Sequence, residues 1–387
     1  MPHVLILGGG FGGVSTAHHL HRLLGAEVDI TLVDRRTHFV MGFRKTMAVV
    51  GREPLETGMR PLEALASQGV RVVRGTIESI DAAAHAAVVD GQRIEADALV
   101  VALGADLVPG AIPGLAENAI NVYSTDGVGP AADALASLQS GSLLIGIFGA
   151  PYKCPPAPYE LAILCKDALN ARGSSASITV FTPQPGSLPV LGQAGCDVIE
   201  GRLAGQGIGF RASTKIERVE AGRVVLAGGG LPLEDDIAFD VLFAVPPHRC
   251  PPVVVDAGLA QQGGWVKINP RTLETNHEDV YAIGDVTAVM MATGQPMPKA
   301  GAFADNEGRV VAERLAAKFQ GKTSDAQFDG TGACFLETGS GEAMVVRGTF
   351  LAEPAPDIEL TPPSKEHLEE KSVFERERLD AWFGTTR

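Results

Sequence analysis

Residues 4–13 read VLILGGGFGG, and residues 30–34, ITLVD, complete the unit that stretch opens. A short apolar strand, 3–7, runs into glycines spaced GxGxxG, with Gly8, Gly10 and Gly13 in the three places. The first permits a tight turn, the second lets backbone approach a pyrophosphate, and the third lets the next helix lie close to the sheet. Residues 14–24 supply that helix, apolar at Ala17, Leu20, Leu23 and Leu24, with its first amides facing the phosphates. A second strand, 29–33, ends at Asp34, about 20 residues past the last glycine, the place of a carboxylate on a ribose 2′-hydroxyl. Phe11 and Gly12 inside the motif and Arg35 beside the acid complete this set. A glycine motif alone says little. Strand, helix, strand and terminal acid in that order predict a dinucleotide site.

Two later segments extend it. ALVVALG, 98–104, reads as a buried strand ending in a turn at Gly104. NHEDVYAIGD, 276–285, reads as a strand over 280–283 closed by Gly284 and Asp285. This order resembles the flavin-binding closure of two-dinucleotide-domain flavoproteins, in which the late aspartate contacts the ribityl chain. It points to FAD and away from a nicotinamide dehydrogenase.

A second β-α-β unit follows the first. SLLIGIFG, 142–149, is a strand entering a turn, residues 158–171 are a helix with Leu161, Leu164, Cys165, Ala168 and Leu169 on one face, and 176–181 is the next strand. Its fingerprint is broken. Ala150, Pro151, Tyr152, Lys153 and Cys154 stand where permissive glycines belong, and Thr182, Pro183 and Gln184 offer no acid for a ribose. Nicotinamide is not expected there. Short strands are predicted over 210–225, and a central strand over 240–245 leads into PPHRCPP. The predicted fold is α/β, with two Rossmann-like dinucleotide-binding domains, the second inserted in the first. Residues 1–114 and 246–324 form the split FAD-binding domain, 115–245 the second domain, and 325–387 a C-terminal interface region with a helix over 364–383, capped by Ser364.

Composition bounds the function. The chain has 387 residues, 46 acidic against 32 basic, for a formal charge of −14. Nucleic acid and anionic lipid are poor partners for such a surface. No run reaches the roughly 18–20 apolar residues of a spanning helix. Residues 4–7 belong to a strand, so no signal peptide is expected in this numbering, and a cytoplasmic or peripheral membrane location follows. The five cysteines, 154, 165, 196, 250 and 334, make no CxxC pair, so neither a disulfide scaffold nor a metal site is predicted.

Cys154 stands at a helix start, where amide dipoles would lower a thiol pKa. Cys334 lies in GACFLETGSGEAMVV, near a strand. Nothing in the spacing pairs the two, and separate burial is the plain reading of both. Cys165 reads as core, and Cys196 and Cys250 as loop cysteines. Lys299, in PMPKAG before a helix over 302–319, reads from its residues alone as a solvated lysine.

The stretches LGGGFGG, YKCPPAPYE, GWVKINPRTLETNHEDVYAIGD, QPMPKAG and the late ACF together resemble the sulfide:quinone oxidoreductase and flavocytochrome c sulfide dehydrogenase family, over nearly the full length. The resemblance implies that Cys154 and Cys334 lie by the flavin as a redox-active disulfide. Hydrosulfide would attack one sulfur, leaving a persulfide there and a thiolate on the other, which passes two electrons to FAD and on to a quinone or, second, a cytochrome. It also implies that Lys299 sits beside the flavin and stabilises its reduced ring. Two features depart from the family. Quinone-reducing members commonly carry a third cysteine upstream of the Cys154 setting, and this chain has none. Flavocytochrome members commonly attach FAD through a cysteine shortly after the ribose acid, and THFVMGFRKTMAVVG, 37–51, has none, so non-covalent FAD is expected. The C-terminal region of quinone-reducing relatives often touches the membrane. Here the tail has little continuous apolar surface, so peripheral membrane contact stands beside docking on its own protein or on a homodimer partner, with Trp382 and Phe383 as candidate covers of a quinone pocket. Two rival functions stay open. An NAD(P)H-dependent flavin reductase or NADH:quinone dehydrogenase would need the nicotinamide site that 149–154 does not offer. A non-enzymatic flavin-bound redox sensor is the other.

Overall fold

Runs such as Val4–Leu7 and Ala98–Val101, buried at every position, need cover on both faces of a sheet, which parallel strands with crossover helices supply. The computed structural model describes residues 1–227 and 236–384; 228–235 of the expected second domain and 385–387 of the terminal region lie outside the described residues. The chain begins with β1 (His3–Leu7), α1 (Phe11–Leu24), β2 (Asp29–Asp34), α2 (Arg44–Val49), β3 (Val70–Arg74) and β4 (Ala98–Val101). It continues with β5 (Ile120–Asn121), β6 (Ser142–Ile147), α3 (Ala157–Ala171), β7 (Ser177–Phe181), β8 (Ile208–Arg211) and β9 (Val241–Val245). Then come β10 (Val280–Ala282) and α4 (Gly301–Phe319), and finally β11 (Thr331–Gly339), β12 (Glu342–Thr349), β13 (Asp357–Leu360) and α5 (Lys365–Phe383).

The first sheet has the order β10-β4-β1-β2-β3 and the second β5-β9-β6-β7-β8, and every pairing in both is parallel. In each, the strand that opens a β-α-β unit is central, flanked by the unit's second strand and by a strand from much later in the chain. Val4 thus pairs with both Ile30 and Ala98, and Ile145 with both Val180 and Phe243. Both are Rossmann-like, and the first is completed only when the chain returns through β10. The third sheet, β11-β12-β13, is antiparallel. Cys196 departs from its loop assignment. It lies buried in a helix over Gly192–Gly205, beneath Gly186.

Helices α1 and α4 cross under the first sheet at Gly308, where a β-carbon would stand 2.6 Å from the Gly12 carbonyl oxygen. The terminal helix α5 lies on this same body. Trp382, 2% exposed, packs edge-on to Phe11 and Phe39 with ring centroids 5.8 and 5.5 Å away. Arg378 Nε donates to Asp305 of α4 at 2.8 Å, and Asp305 also accepts the Ser15 hydroxyl of α1 at 2.7 Å. Among the described residues no helix is long and apolar enough to cross a membrane. Its apolar residues form no single stripe in the sequence because α5 contacts several elements at once: α1, β11 and β12.

Candidate active site

The carboxyl ends of β1, β4 and β10 meet at one edge of the first sheet, where open parallel sheets place their ligands. Gly8 has φ +110°, and a β-carbon there would lie 2.3 Å from the Ala102 carbonyl oxygen, so no other residue fits the turn. At Gly10 a β-carbon would meet nothing among the described residues within 4 Å. That open approach is the room a pyrophosphate needs. The N-terminus of α1 has no side-chain cap, which leaves its amides free for an anion. Asp34 is buried at the end of β2 and accepts the Gly9 N–H at 2.7 Å. Burial opposes its charge, but Arg36 binds both carboxylate oxygens, at 3.0 and 2.7 Å, and holds the carboxyl below its usual range. Arg35 and Arg36 are both exposed, and the guanidinium paired with this acid is that of Arg36. Gly104 and Gly284 take φ +67° and +73° at the two closing turns. These residues fit a dinucleotide.

Lys299 is not the solvated lysine its local sequence describes. It is 7% exposed, its ammonium donates to the Asp285 and Thr287 carbonyls at 2.7 and 2.8 Å, and it lies 3.6 Å from the centroid of the Trp265 ring. Burial pushes its pKa down to about 8 against the pull of Asp285 and Glu307. Glu307 of α4, 1% exposed, accepts the Gly284 N–H at 2.6 Å, and burial pushes its carboxyl up to about 7. An acid whose pKa rises on folding holds its proton more tightly in the native state. Its contribution to stability is therefore present at low pH and lost as pH rises through the folded value. Between pH 5 and 8 wild type should lose about 2–3 kcal/mol relative to Glu307→Gln, whose amide oxygen keeps the Gly284 bond. Denaturant titrations of both proteins at the two pH values measure this, and parallel pH dependence would refute it.

Cys154 lies where the two parallel sheets approach each other. Lys153 and Lys299 form an isolated parallel bridge, and the Cys154 N–H donates to the Lys299 carbonyl at 2.7 Å. The cysteine loop of the second domain is thereby stitched to the segment that closes the first. The expected lowering of the Cys154 pKa is corrected here. The helix proper starts at Ala157, three positions on, and burial, aided by Glu160, pushes the thiol up to about 11. Lys371, Lys45 and the Ala157 amide pull the other way without prevailing. Cys154 is half-buried, and at that position a local dipole loses to desolvation. Cys334 sits on β11 opposite Val346. Burial raises its pKa, and a charge on Cys154 raises it further. All five cysteines are free thiols. Cys165 is fully buried in the second core, as its helical position implies, and Cys250 is buried in the first.

Behind Cys154 is a buried ion cluster joining three elements. Lys371 of α5 donates to Glu160 of α3 at 3.0 Å and to Glu337 of β11 at 2.8 Å, with all three side chains 5% exposed or less. Glu160 also accepts the Glu337 N–H at 2.9 Å, and Arg52 reaches Glu337 at 2.8 Å. Burial works against the ammonium, but the two carboxylates outweigh it and hold Lys371 charged. On the outer side of β11, Phe335, next to Cys334, stands edge-on to Phe374 of α5 with centroids 5.7 Å apart. They line a groove of about 440 Å³ with Val373, rimmed by Glu366, Glu369, Glu370 and Glu377. Trp382 and Phe383 pack on Phe39 and do not line this groove. The aromatic slot on this face belongs to Phe335 and Phe374. Glu307, Lys371, Glu160 and Arg36 were not singled out from sequence. Only Glu160, inside CPPAPYE, carried a local signal.

A sequence model described as pyridine nucleotide-disulphide oxidoreductase matches residues 2–305. The mitochondrial sulfide:quinone oxidoreductase of Mus musculus is 23% identical over 363 residues, covering 91% of this chain and 79% of that protein. The sulfide-quinone reductase of Aquifex aeolicus is 27% identical over 337 residues, covering 81% and 76%. The X-ray structure of the sulfide:quinone oxidoreductase from Aquifex aeolicus matches at a TM-score of 0.89 and 23% identity, over 100% of this chain and 92% of that one, a likeness of fold.

Proposed function

Because the chain belongs to the pyridine nucleotide-disulphide oxidoreductase family, we propose that this FAD-dependent oxidoreductase oxidises sulfide to sulfur or polysulfide through Cys154 and Cys334 and delivers the electrons to a quinone. The observation that carries the reading is the hydrogen bond between the Cys154 amide and the Lys299 carbonyl, which ties a cysteine to the flavin-closing segment with Cys334 in its field. FAD would be held without a covalent link by Gly8, Gly10, Phe11, Gly12, Gly13, Asp34, Gly104, Gly284 and Asp285. When bound it supplies a two-electron acceptor that can be reoxidised by a separate partner.

The chemistry of the chain's own residues follows. Hydrosulfide attacks one sulfur of a Cys154–Cys334 disulfide; the S–S bond breaks, the attacked sulfur becomes a persulfide, and the electron pair leaves on the other as thiolate. Lys45 and Lys371 favour negative charge at Cys154, which offsets part of the burial that opposes it. Lys299, with a pKa of about 8, remains mostly charged at neutral pH and braces the Asp285 turn at the head of α4. The groove of Phe335 and Phe374 on the outer side of β11 suits a quinone ring, and its glutamate rim gives a basic cytochrome as the second acceptor to compare.

Stopped-flow absorbance tests the reading. Anaerobic sulfide should bleach the bound flavin within a turnover, NADH should leave it oxidised, and decylubiquinone should restore the colour faster than cytochrome c. Rapid bleaching by NADH with no response to sulfide would transfer the protein to the NADH dehydrogenases. A flavin that answers neither would leave the sensor reading.

A further inference from the structure

Cys154 has φ +51°, in the left-handed region that a side chain with a β-carbon seldom adopts and that persists only where its surroundings over-determine it. Here they do. Its N–H is held by the Lys299 carbonyl of the first domain at 2.7 Å. Its carbonyl accepts the Ala157 N–H at 3.0 Å and, from a different part of the second domain, the Tyr123 hydroxyl at 3.2 Å. Tyr123 is itself fixed. Its amide donates to the Asn121 side-chain oxygen at 3.0 Å, and its ring stands edge-on to His248 with centroids 5.9 Å apart. The His248 ring is pinned by a 2.8 Å hydrogen bond from Nδ1 to the Pro246 carbonyl. Burial, with Cys154 adding to it, raises the Tyr123 phenol well above its ordinary pKa, so it stays a donor at any working pH.

We propose that Tyr123 is a positioning residue for Cys154, its hydroxyl holding the left-handed peptide so that the thiol keeps one direction and, with it, its reactivity. Pro246, His248 and Tyr123 then form a rigid strut from the end of β9 to the cysteine. The Ala157 bond alone belongs to the local turn and does not fix the loop from outside; Tyr123 at the carbonyl and Lys299 at the N–H do. The step this serves is the disulfide cleavage given above, in which Cys154 must present its sulfur to Cys334 and to the incoming nucleophile. The inference therefore rests on the reading of Cys154 as a redox cysteine.

The test uses the flavin-loaded, reduced protein and Tyr123→Phe, which keeps the ring and removes the hydroxyl. The rate of Cys154 alkylation by iodoacetamide, followed across pH by peptide mass spectrometry, should change by about 10-fold, the factor that one neutral hydrogen bond commands. The midpoint potential of the cysteine pair against a dithiothreitol buffer should shift, while flavin absorbance and melting temperature stay those of wild type. Unchanged alkylation and potential would overturn the proposal, as would a variant that loses only stability or flavin. Should Tyr123→Phe fail to fold, Asn121→Ala, which loosens Tyr123 and spares the hydroxyl, should show the same shift in smaller measure, and its absence would again overturn the proposal. Alkylation involves no sulfide. A wild-type protein deaf to sulfide would defeat the proposed reaction, whereas Tyr123 is judged by the thiol kinetics.

Discussion

Cys154→Ala is expected to slow sulfide-driven bleaching of the flavin by on the order of 1,000-fold or more, and Cys334→Ala by a similar factor. The two sulfurs are the halves of one bond in the proposed reaction. Without either, there is no disulfide to attack and no thiolate to carry the electron pair. For the same reason the double variant should be no slower than either single one, since groups that act as a unit do not add. The thiol pKa of about 11 at Cys154 adds a directional expectation. In the reduced protein below pH 9 the residue should resist alkylation, so protection from iodoacetamide does not by itself imply a disulfide. Cys165→Ala is the matched control, because that sulfur is fully buried in the second core and its removal should affect stability with bleaching intact. Bleaching at wild-type rate in either single variant would remove the cysteine pair from the reaction.

The second large effect lies in the ion cluster. Lys371→Met should destabilise the protein by about 3–5 kcal/mol, because it strands the buried Glu160 and leaves Glu337 with a single partly exposed guanidinium, Arg52. The same substitution should loosen α5, whose other anchors include Arg378 on Asp305, Arg44 on Glu375, Phe374 on Phe335 and the Trp382 contacts. If the loss is electrostatic, adding Glu160→Gln and Glu337→Gln should recover most of it. A packing origin would leave the triple variant as unstable as the single one. Urea titration of the three proteins at constant flavin occupancy gives the answer, and a Lys371→Met midpoint within error of wild type would show that the cluster contributes nothing net.

The two β-α-β units were legible because their determinants are local. A glycine that must take φ +110° under a carbonyl, an apolar run and a terminal acid all lie within one short stretch. Helix starts shifted by only a few residues, as at Phe11, Ala157 and Gly301. What the sequence hid depends on where distant segments meet. Lys371 sits in EEKS among charges and reads as a solvated face, yet residues 160 and 337 close over it. Lys299 reads as exposed until Trp265, Asp285 and Thr287 surround it. The sign of the Cys154 shift was misread for the same reason. A dipole is visible in a helix start, whereas burial is a property of the whole fold. Tyr123 carried no signal at all, since its partner is a backbone carbonyl and any residue offers one.

The contact of Trp382 and Phe374 with Phe11 bears on how the protein acquires its cofactor during synthesis. The phosphate-binding turn and the helix that packs on it stand far apart in the chain, so the turn is synthesised well before that helix. A nascent chain can form the turn before α5 packs on Phe11, a contact that is complete only once translation has passed residue 382. Deletion of α5 is therefore expected to weaken flavin retention although every residue of the glycine motif is intact, and the ratio of flavin to protein absorbance after purification measures it.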